Sequence, residues 1–205
     1  MYEIISTGSQ GNAVLYFDSI LVDCGVAFAK IKPILSKVKI VLLTHEHGDH
    51  LNFSTLVKMQ FEKPSLRIAC GAWMVEKLVG LKNIDVVEKG IYNYNIFSIC
   101  PIKLYHDVPN FGYRIFKGAE SVFHATDTAH LEGIEAKNYN LYAIEANYDE
   151  DIVDSQIKEA QMKGEFCHKI GTINSHLSWQ QANDFFFKNR GENSKLIRLH
   201  ESKTF

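Results

Sequence analysis

Apolar positions along this chain gather in short runs bounded by Gly, Asn or Asp. Ten of them read as strands: YEIIS, AVLYF, SILVD, KIVLLT, LRIAC, IFSICPIKLY, FGYRIF, SVFHAT, LYAIE and KLIRLH. Each is brief and rich in Val, Ile, Leu and aromatics, which suits a pleated, buried surface. Three stretches show helical spacing instead. GAWMVEKLVG and DEDIVDSQIKEAQMKG are two, the second with acids in its first turn and Gly164 at its end. The third, SWQQANDFFFKNRG, opens with Ser178 and Gln181 in capping-box relation and stops at Gly191. Its Trp179, Ala182, Phe185 and Phe186 fall on one face, a stripe suited to core contact. Hairpin-like strand pairs come first and strands alternating with helices follow. That order predicts an α/β (α+β) fold of two mixed sheets with helices outside.

Composition narrows the setting. At 205 residues, with 46% apolar and 22% charged residues, the chain has the make-up of an ordinary globular protein and can bury a substantial core. With no repeat, linker or low-complexity tract, one domain over residues 1–205 is expected. A net charge of −2 gives no basic coat, so nucleic-acid binding would have to be local. No apolar run approaches the ~18 residues that a bilayer span needs, and the N-terminus lacks a signal-peptide pattern. No membrane association is expected. Cys24, Cys70, Cys100 and Cys167 stand singly, as reduced and mostly buried thiols of a cytoplasmic protein would.

The polar residues that follow the apolar runs change the picture. SILVD ends in Asp23, and KIVLLT is followed by His45, His47, Asp49 and His50 in THEHGDH. IKLY leads to His106, SVFHAT to Asp127, LYAIE ends in Glu145 and KLIRLH in His200. Ligands of helix-covered sheets bind outside the carboxyl ends of strands, so these residues have reason to share one rim. His45 and His47, two apart, can point the same way and take one metal, while Asp49 and His50 are displaced enough to reach a second. A further histidine for each metal and a bridging carboxylate are then required, and His106, His200 and Asp127 supply that set. Imidazole and carboxylate ligands without cysteine favour an open Zn²⁺ site over a closed structural one, with Mn²⁺ or Fe as alternatives. His124, His130 and His168 read as structural or surface residues.

Asp23 in LVDCG, THEHGDH, His106, Asp127 in ATDT and His200 resemble, in order, the five motifs of the metallo-β-lactamase superfamily. The resemblance implies a four-layer αβ/βα sandwich with a dinuclear site. It assigns His45, His47 and His106 to one metal, Asp49, His50 and His200 to the other, Asp127 to the bridge and Asp23 to support behind the ligands. The surroundings of His106 in KLYHDVPNFGYRIF, with STGSQGN, EANYD and SHLSWQQA, resemble the small exonuclease-like and ribonuclease Z-related phosphodiesterases of bacteria and phages. In those branches a histidine beside the leaving group is oriented by a glutamate, and His176 and Glu145 match that pair. A departing alkoxide needs a proton, which a carboxylate-held imidazolium can give. The expected activity is therefore phosphodiester hydrolysis by a metal-bridged hydroxide, with His176 as general acid and Asp49 helping to position water and metal. A hydrolase of a cyclic nucleotide, thioester or lactone is the alternative, and a non-catalytic metal-binding interaction protein the third reading. STGSQGN itself reads as the first hairpin.

Overall fold

The computed structural model describes residues 1–163 and 173–200. Cys167, His168 and the helix end expected at Gly164 lie outside the described residues. All ten predicted strands form, and the chain divides into two compact units, Met1–Tyr92 and Asn93–Phe205.

The first unit holds a six-stranded sheet in chain order: β1 (Tyr2–Ser6), β2 (Ala13–Tyr16), β3 (Ile20–Val22), β4 (Ile40–Leu42), β5 (Arg67–Cys70) and β6 (Ile84–Val86). β1 to β3 are antiparallel, and β3 to β6 run parallel. Wholly buried runs such as ILV and IVL are what parallel strands covered on both faces require. Leu21, Val41 and Leu43 pack in one core with Ile31 of helix α1 (Phe28–Ile31) and with Leu56 and Met59 of α2 (Phe53–Glu62). The Asn52 side chain caps α2 by accepting the Thr55 N–H at 3.0 Å. GAWMVEKLVG does wind, but as a 3₁₀ helix over Ala72–Leu78. Its buried residues, Met74 and Leu78, are four apart, a spacing that sequence reading takes for an α-helix.

The second unit holds the other six-stranded sheet, ordered β12-β11-β10-β9-β8-β7. Its strands are β7 (Tyr92–Tyr94, at the unit boundary), β8 (Phe97–Leu104), β9 (Asn110–Lys117), β10 (Glu120–Ala125), β11 (Leu141–Glu145) and β12 (Lys195–Leu199). β8, β9 and β10 alternate in direction, while β10, β11 and β12 are parallel. Helix α3 spans Glu150–Lys163 and α4 spans Trp179–Asn189. The capping box of Ser178 and Gln181 forms, and Ala182 and Phe186 are buried against Phe123 and Tyr142, with Trp179 and Phe185 beside them. Two mixed sheets, each with its own helices, make up the αβ/βα sandwich class.

Direction is what these sheets give to function. β3 and β4 pair Val22 with Leu42, so Asp23 and Thr44 emerge at one edge. In the second unit β8, β10, β11 and β12 all point the same way. His106, Asp127, Glu145 and His200 therefore leave neighbouring carboxyl ends.

Cys24 and Cys70 are buried free thiols and Cys100 is half-buried. Burial pushes the Cys24 thiol well up and that of Cys70 up to about 11. Thiolate, not thiol, is the nucleophile. Native protein treated with iodoacetamide at pH 8 should therefore label Cys100 first of these three, read by peptide mass spectrometry. Labelling of Cys70 as fast as Cys100 would contradict this burial.

Candidate metal centre

The first unit carries four of the seven expected ligands on the loop that follows β4. Asp23 is buried and anchors them. It accepts the Thr44 N–H at 2.9 Å, the Thr44 hydroxyl at 2.9 Å and His50 Nδ1–H at 2.7 Å. The Thr44 hydroxyl is in turn 3.0 Å from His45 Nδ1. Since that hydroxyl donates to Asp23, it accepts from His45. Both rings are thus held with the proton on Nδ1 and a lone pair on Nε2, as the network dictates. This is how a carboxylate behind a metal-binding histidine fixes its tautomer. Burial pushes the Asp23 carboxyl up, against the opposing pull of His50 and Thr44.

His45 Nε2 faces His47 Nδ1 at 3.2 Å, and His50 Nε2 lies 3.6 Å from Asp49 Oδ2. Two imidazole nitrogens turned towards each other suit a shared cation, and an imidazole beside a carboxylate suits another. Glu46, between the histidines, turns away to Lys77 at 3.1 Å.

The second unit gathers the remainder. Asp127 directs its two oxygens to two imidazoles: Oδ2 is 3.9 Å from His106 Nε2, and Oδ1 is 3.7 Å from His200 Nε2. These spacings exceed hydrogen bonds and match ligands sharing cations, on the order of 3–4 Å apart. Thr126 donates its hydroxyl to Asp127 Oδ1 at 2.8 Å, and the Asn110 amide holds the Thr126 and Asp127 carbonyls. His106 Nδ1 is 3.1 Å from the Ser175 carbonyl, which again places the proton on Nδ1. Its Nε2 also lies 3.1 Å from Asp107. Burial lowers the His106 pKa, against the pull of Asp127 and Asp107, which favours the neutral, ligand-competent ring. His200 departs from this pattern: its Nδ1 accepts from the Asn147 amide at 2.9 Å, and that amide also donates to its carbonyl at 3.0 Å.

Glu145 and His176 meet at 2.8 Å, Oε2 to Nδ1. The local reason is a parallel run of EANYD beside HLSW. Asn147 N–H donates to the Leu177 carbonyl at 2.9 Å, and Trp179 N–H to that of Tyr148 at 2.8 Å. The other Glu145 oxygen accepts the Thr128 N–H. Burial pushes the Glu145 carboxyl up, and the bond from His176 opposes it. The His176 ring stacks on His200 at 5.2 Å and meets His106 edge-on at 5.3 Å. Ligand atoms of Asp127, Glu145, His176 and His200 all lie within 4.8 Å of one another. Of the three histidines read as structural, His124 is buried within β10 and His130 stacks on Tyr105 at 4.1 Å.

Three site residues adopt left-handed backbone conformations: Asp23 (φ 60°), Asp127 (φ 56°) and His200 (φ 53°). Such strain collects where surrounding structure over-determines a functional residue. Sequence reading missed Thr44, Asn110, Thr128 and Asn12, the last of which bonds to Asp49 and His50. Thr44 was legible in principle, since it stands between a strand end and His45. The two asparagines and Thr128 carry no local signal.

The fold has counterparts. The family model described as the beta-lactamase superfamily domain matches residues 18–188. This chain belongs to the metallo-β-lactamase superfamily. Exodeoxyribonuclease WalJ of Streptococcus pneumoniae is 28% identical over 225 residues, covering 98% of this chain and 81% of that protein. Among solved structures, the metallo-beta-lactamase fold protein YhfI from Bacillus subtilis aligns over 98% of this chain and 85% of its own, with a TM-score of 0.75 at 21% identity. Human tRNase Z, short form, aligns over 99% of this chain and 93% of its own, with a TM-score of 0.68 at 17% identity. Within the superfamily the chain resembles the exonuclease and ribonuclease Z-like phosphodiesterase branch. Histidine–aspartate clusters in a superfamily member support a metal-dependent hydrolase. Among the described residues no helix is long and apolar enough to cross a membrane.

Proposed function

We propose that residues 1–205 act as one hydrolase domain, a dinuclear metal-dependent phosphodiesterase that cleaves nucleic acid. The observation that carries this reading is the Glu145–His176 pair, 2.8 Å apart and within 4.8 Å of Asp127 and His200. A carboxylate-steadied imidazole this close to the bridging position suits protonation of a departing alkoxide. The names of the curated relatives, exodeoxyribonucleases, support the same substrate class.

In this reading His45, His47 and His106 would hold one divalent cation, Asp49, His50 and His200 the other, and Asp127 would serve both. The nitrogen and oxygen donors favour Zn²⁺ ahead of Mn²⁺ or Fe. Bound there, the cations would supply an activated water and charge for the phosphate oxygens. Asp49 and Asp127 orient the water and the cations. His176, protonated and aimed through Nδ1 by Glu145, presents Nε2 to the leaving oxygen and delivers the proton. Glu145 accepts from His176 and from the Thr128 N–H, and in this reading it orients the ring. The single, scattered cysteines and a net charge of −2 fit a cytoplasmic enzyme that grips its substrate through metal and not through a basic coat.

His176→Ala should lower turnover of a DNA oligonucleotide by about 10²–10⁴-fold, the span of general-acid catalysis. A p-nitrophenyl phosphodiester, whose leaving group needs no proton, should lose far less. Equal losses on both substrates would remove the general-acid role. The net charge of −2 favours a second reading, hydrolysis of a small phosphodiester or other ester. Turnover of the chromogenic ester without any cleavage of DNA or RNA would establish it.

A further inference from the structure

We propose that Asn12 is a positioning residue for Asp49 and His50, and that the turn from Gly8 to Asn12 serves to aim its amide at them. The inference rests on the ligand assignment proposed above. An ordinary hairpin turn closes on itself, whereas this one reaches a loop far along the chain. Asn12 is buried, and its Oδ1 accepts the Gly8 N–H at 2.8 Å, which fixes the end of the amide that faces outwards. Its Nδ2 lies 3.2 Å from the Asp49 carbonyl, 3.3 Å from Asp49 Oδ2, 2.9 Å from His50 Nε2 and 3.3 Å from the Gly8 carbonyl. The Asn12 main-chain N–H donates to the Asp49 carbonyl as well, at 2.6 Å.

Two glycines permit this approach. Gly11 has φ +123°, and a Cβ there would fall 2.4 Å from the Gly25 carbonyl oxygen. A Cβ on Gly25 would fall 1.8 Å from the Asp49 carbonyl oxygen and 2.5 Å from His50 N. Gly25 N–H donates to the Asn12 carbonyl at 3.0 Å, and Cys24 N–H to the His50 carbonyl at 3.0 Å. The Asp49 and His50 carbonyls are therefore held by main chain from two segments. The Asn12 amide is the side chain of the turn that reaches both presumed ligands.

The chemistry suits the task. A carboxamide N–H donates to the Asp49 carboxylate without titrating, and it leaves Oδ1 of that carboxylate for a cation. His50 Nε2 is the partner a cation would take. The Asp49 carbonyl and carboxylate are the partners the amide would keep. Groups that orient ligands from behind typically change metal affinity about 10–100-fold when removed.

Calorimetric titration of metal-free protein with Zn²⁺ tests this without reference to activity. Wild type should take up two ions. Asn12→Asp keeps the acceptor for the Gly8 N–H but turns an oxygen towards the Asp49 carboxylate. It should weaken one of the two sites about 10–100-fold and leave the other unchanged. Asn12→Ala should do the same. Should the alanine variant fail to fold, Asn12→Asp carries the test, with its metal-free melting temperature reporting that the turn is intact. Two ions bound with wild-type affinity in both variants, or tighter binding in Asn12→Asp, would overturn the inference and leave the ligand assignment standing. Fewer than two ions bound by wild type would overturn both.

Discussion

Asn in place of Asp127 is expected to reduce metal uptake to one ion or fewer and to lower metal-dependent hydrolysis by at least about 10³-fold. The argument is geometric. Asp127 turns one oxygen towards His106 at 3.9 Å and the other towards His200 at 3.7 Å. An anion with an oxygen turned to each side can serve two cations at once. A carboxamide has one acceptor oxygen, and its NH₂ repels the second cation. Metal-ion charge stabilisation contributes several kcal/mol, and each 1.4 kcal/mol is a factor of ten in rate. Asn is a sharper probe than Ala because position 127 is left-handed, at φ 56°. Asn tolerates that region, whereas Ala adds about 1–2 kcal/mol of backbone strain that would blur a functional loss with a folding one. Metal content by mass spectrometry and the melting temperature of the metal-free protein separate the two. Two tightly bound ions in Asp127→Asn would rule out the bridge.

The second large effect is on stability. Asp23→Ala should cost about 3 kcal/mol or more, at roughly 1–3 kcal/mol for each buried donor left without an acceptor. It strips acceptors from the Thr44 N–H, the Thr44 hydroxyl and His50 Nδ1–H in a fully buried setting, and it places Ala at φ 60°. Buried donors left without acceptors carry their whole desolvation cost. Asp23→Asn keeps one acceptor oxygen and the left-handed backbone, so it should lose less. It should still weaken metal binding about 10–100-fold, because His45 and His50 lose the group that fixes their tautomers. Urea unfolding of the metal-free protein measures the first effect. A midpoint for Asp23→Ala equal to that of wild type would show that Asp23 anchors nothing.

Much of the fold was legible because strand burial is a local property. Runs such as KIVLLT and LYAIE must be strands in a folded chain, and all ten predicted runs are. β6 and β7 escaped notice because IDV and YNY are three residues long and only partly buried, with no apolar run to mark them. α2 was missed where its cap, Asn52, sits directly behind the histidine cluster and hides the start of the helix. Strand order and register depend on pairings between distant segments and have no local mark.

The site divides the same way. THEHGDH announces itself because four ligand-type side chains fall in six positions. His106, Asp127, Glu145 and His200 became legible through their places at strand ends. Asn12, Asn110 and Asn147 did not, since each matters only through residues that the fold brings to it. The glycine-rich opening, read as the first hairpin, bonds to the Asp49 carbonyl through Asn12. The pairing of Glu145 with His176 came from the family resemblance, and the two side chains stand 2.8 Å apart.

The most direct test of the account is degradation of 5′-labelled single-stranded DNA and RNA by Zn²⁺- or Mn²⁺-loaded protein, with Asp127→Asn as control. The account predicts metal-dependent cleavage that the control lacks, and the product ladder will show whether cleavage proceeds from an end. Intact DNA and RNA after incubation with protein shown to hold two metal ions would contradict it.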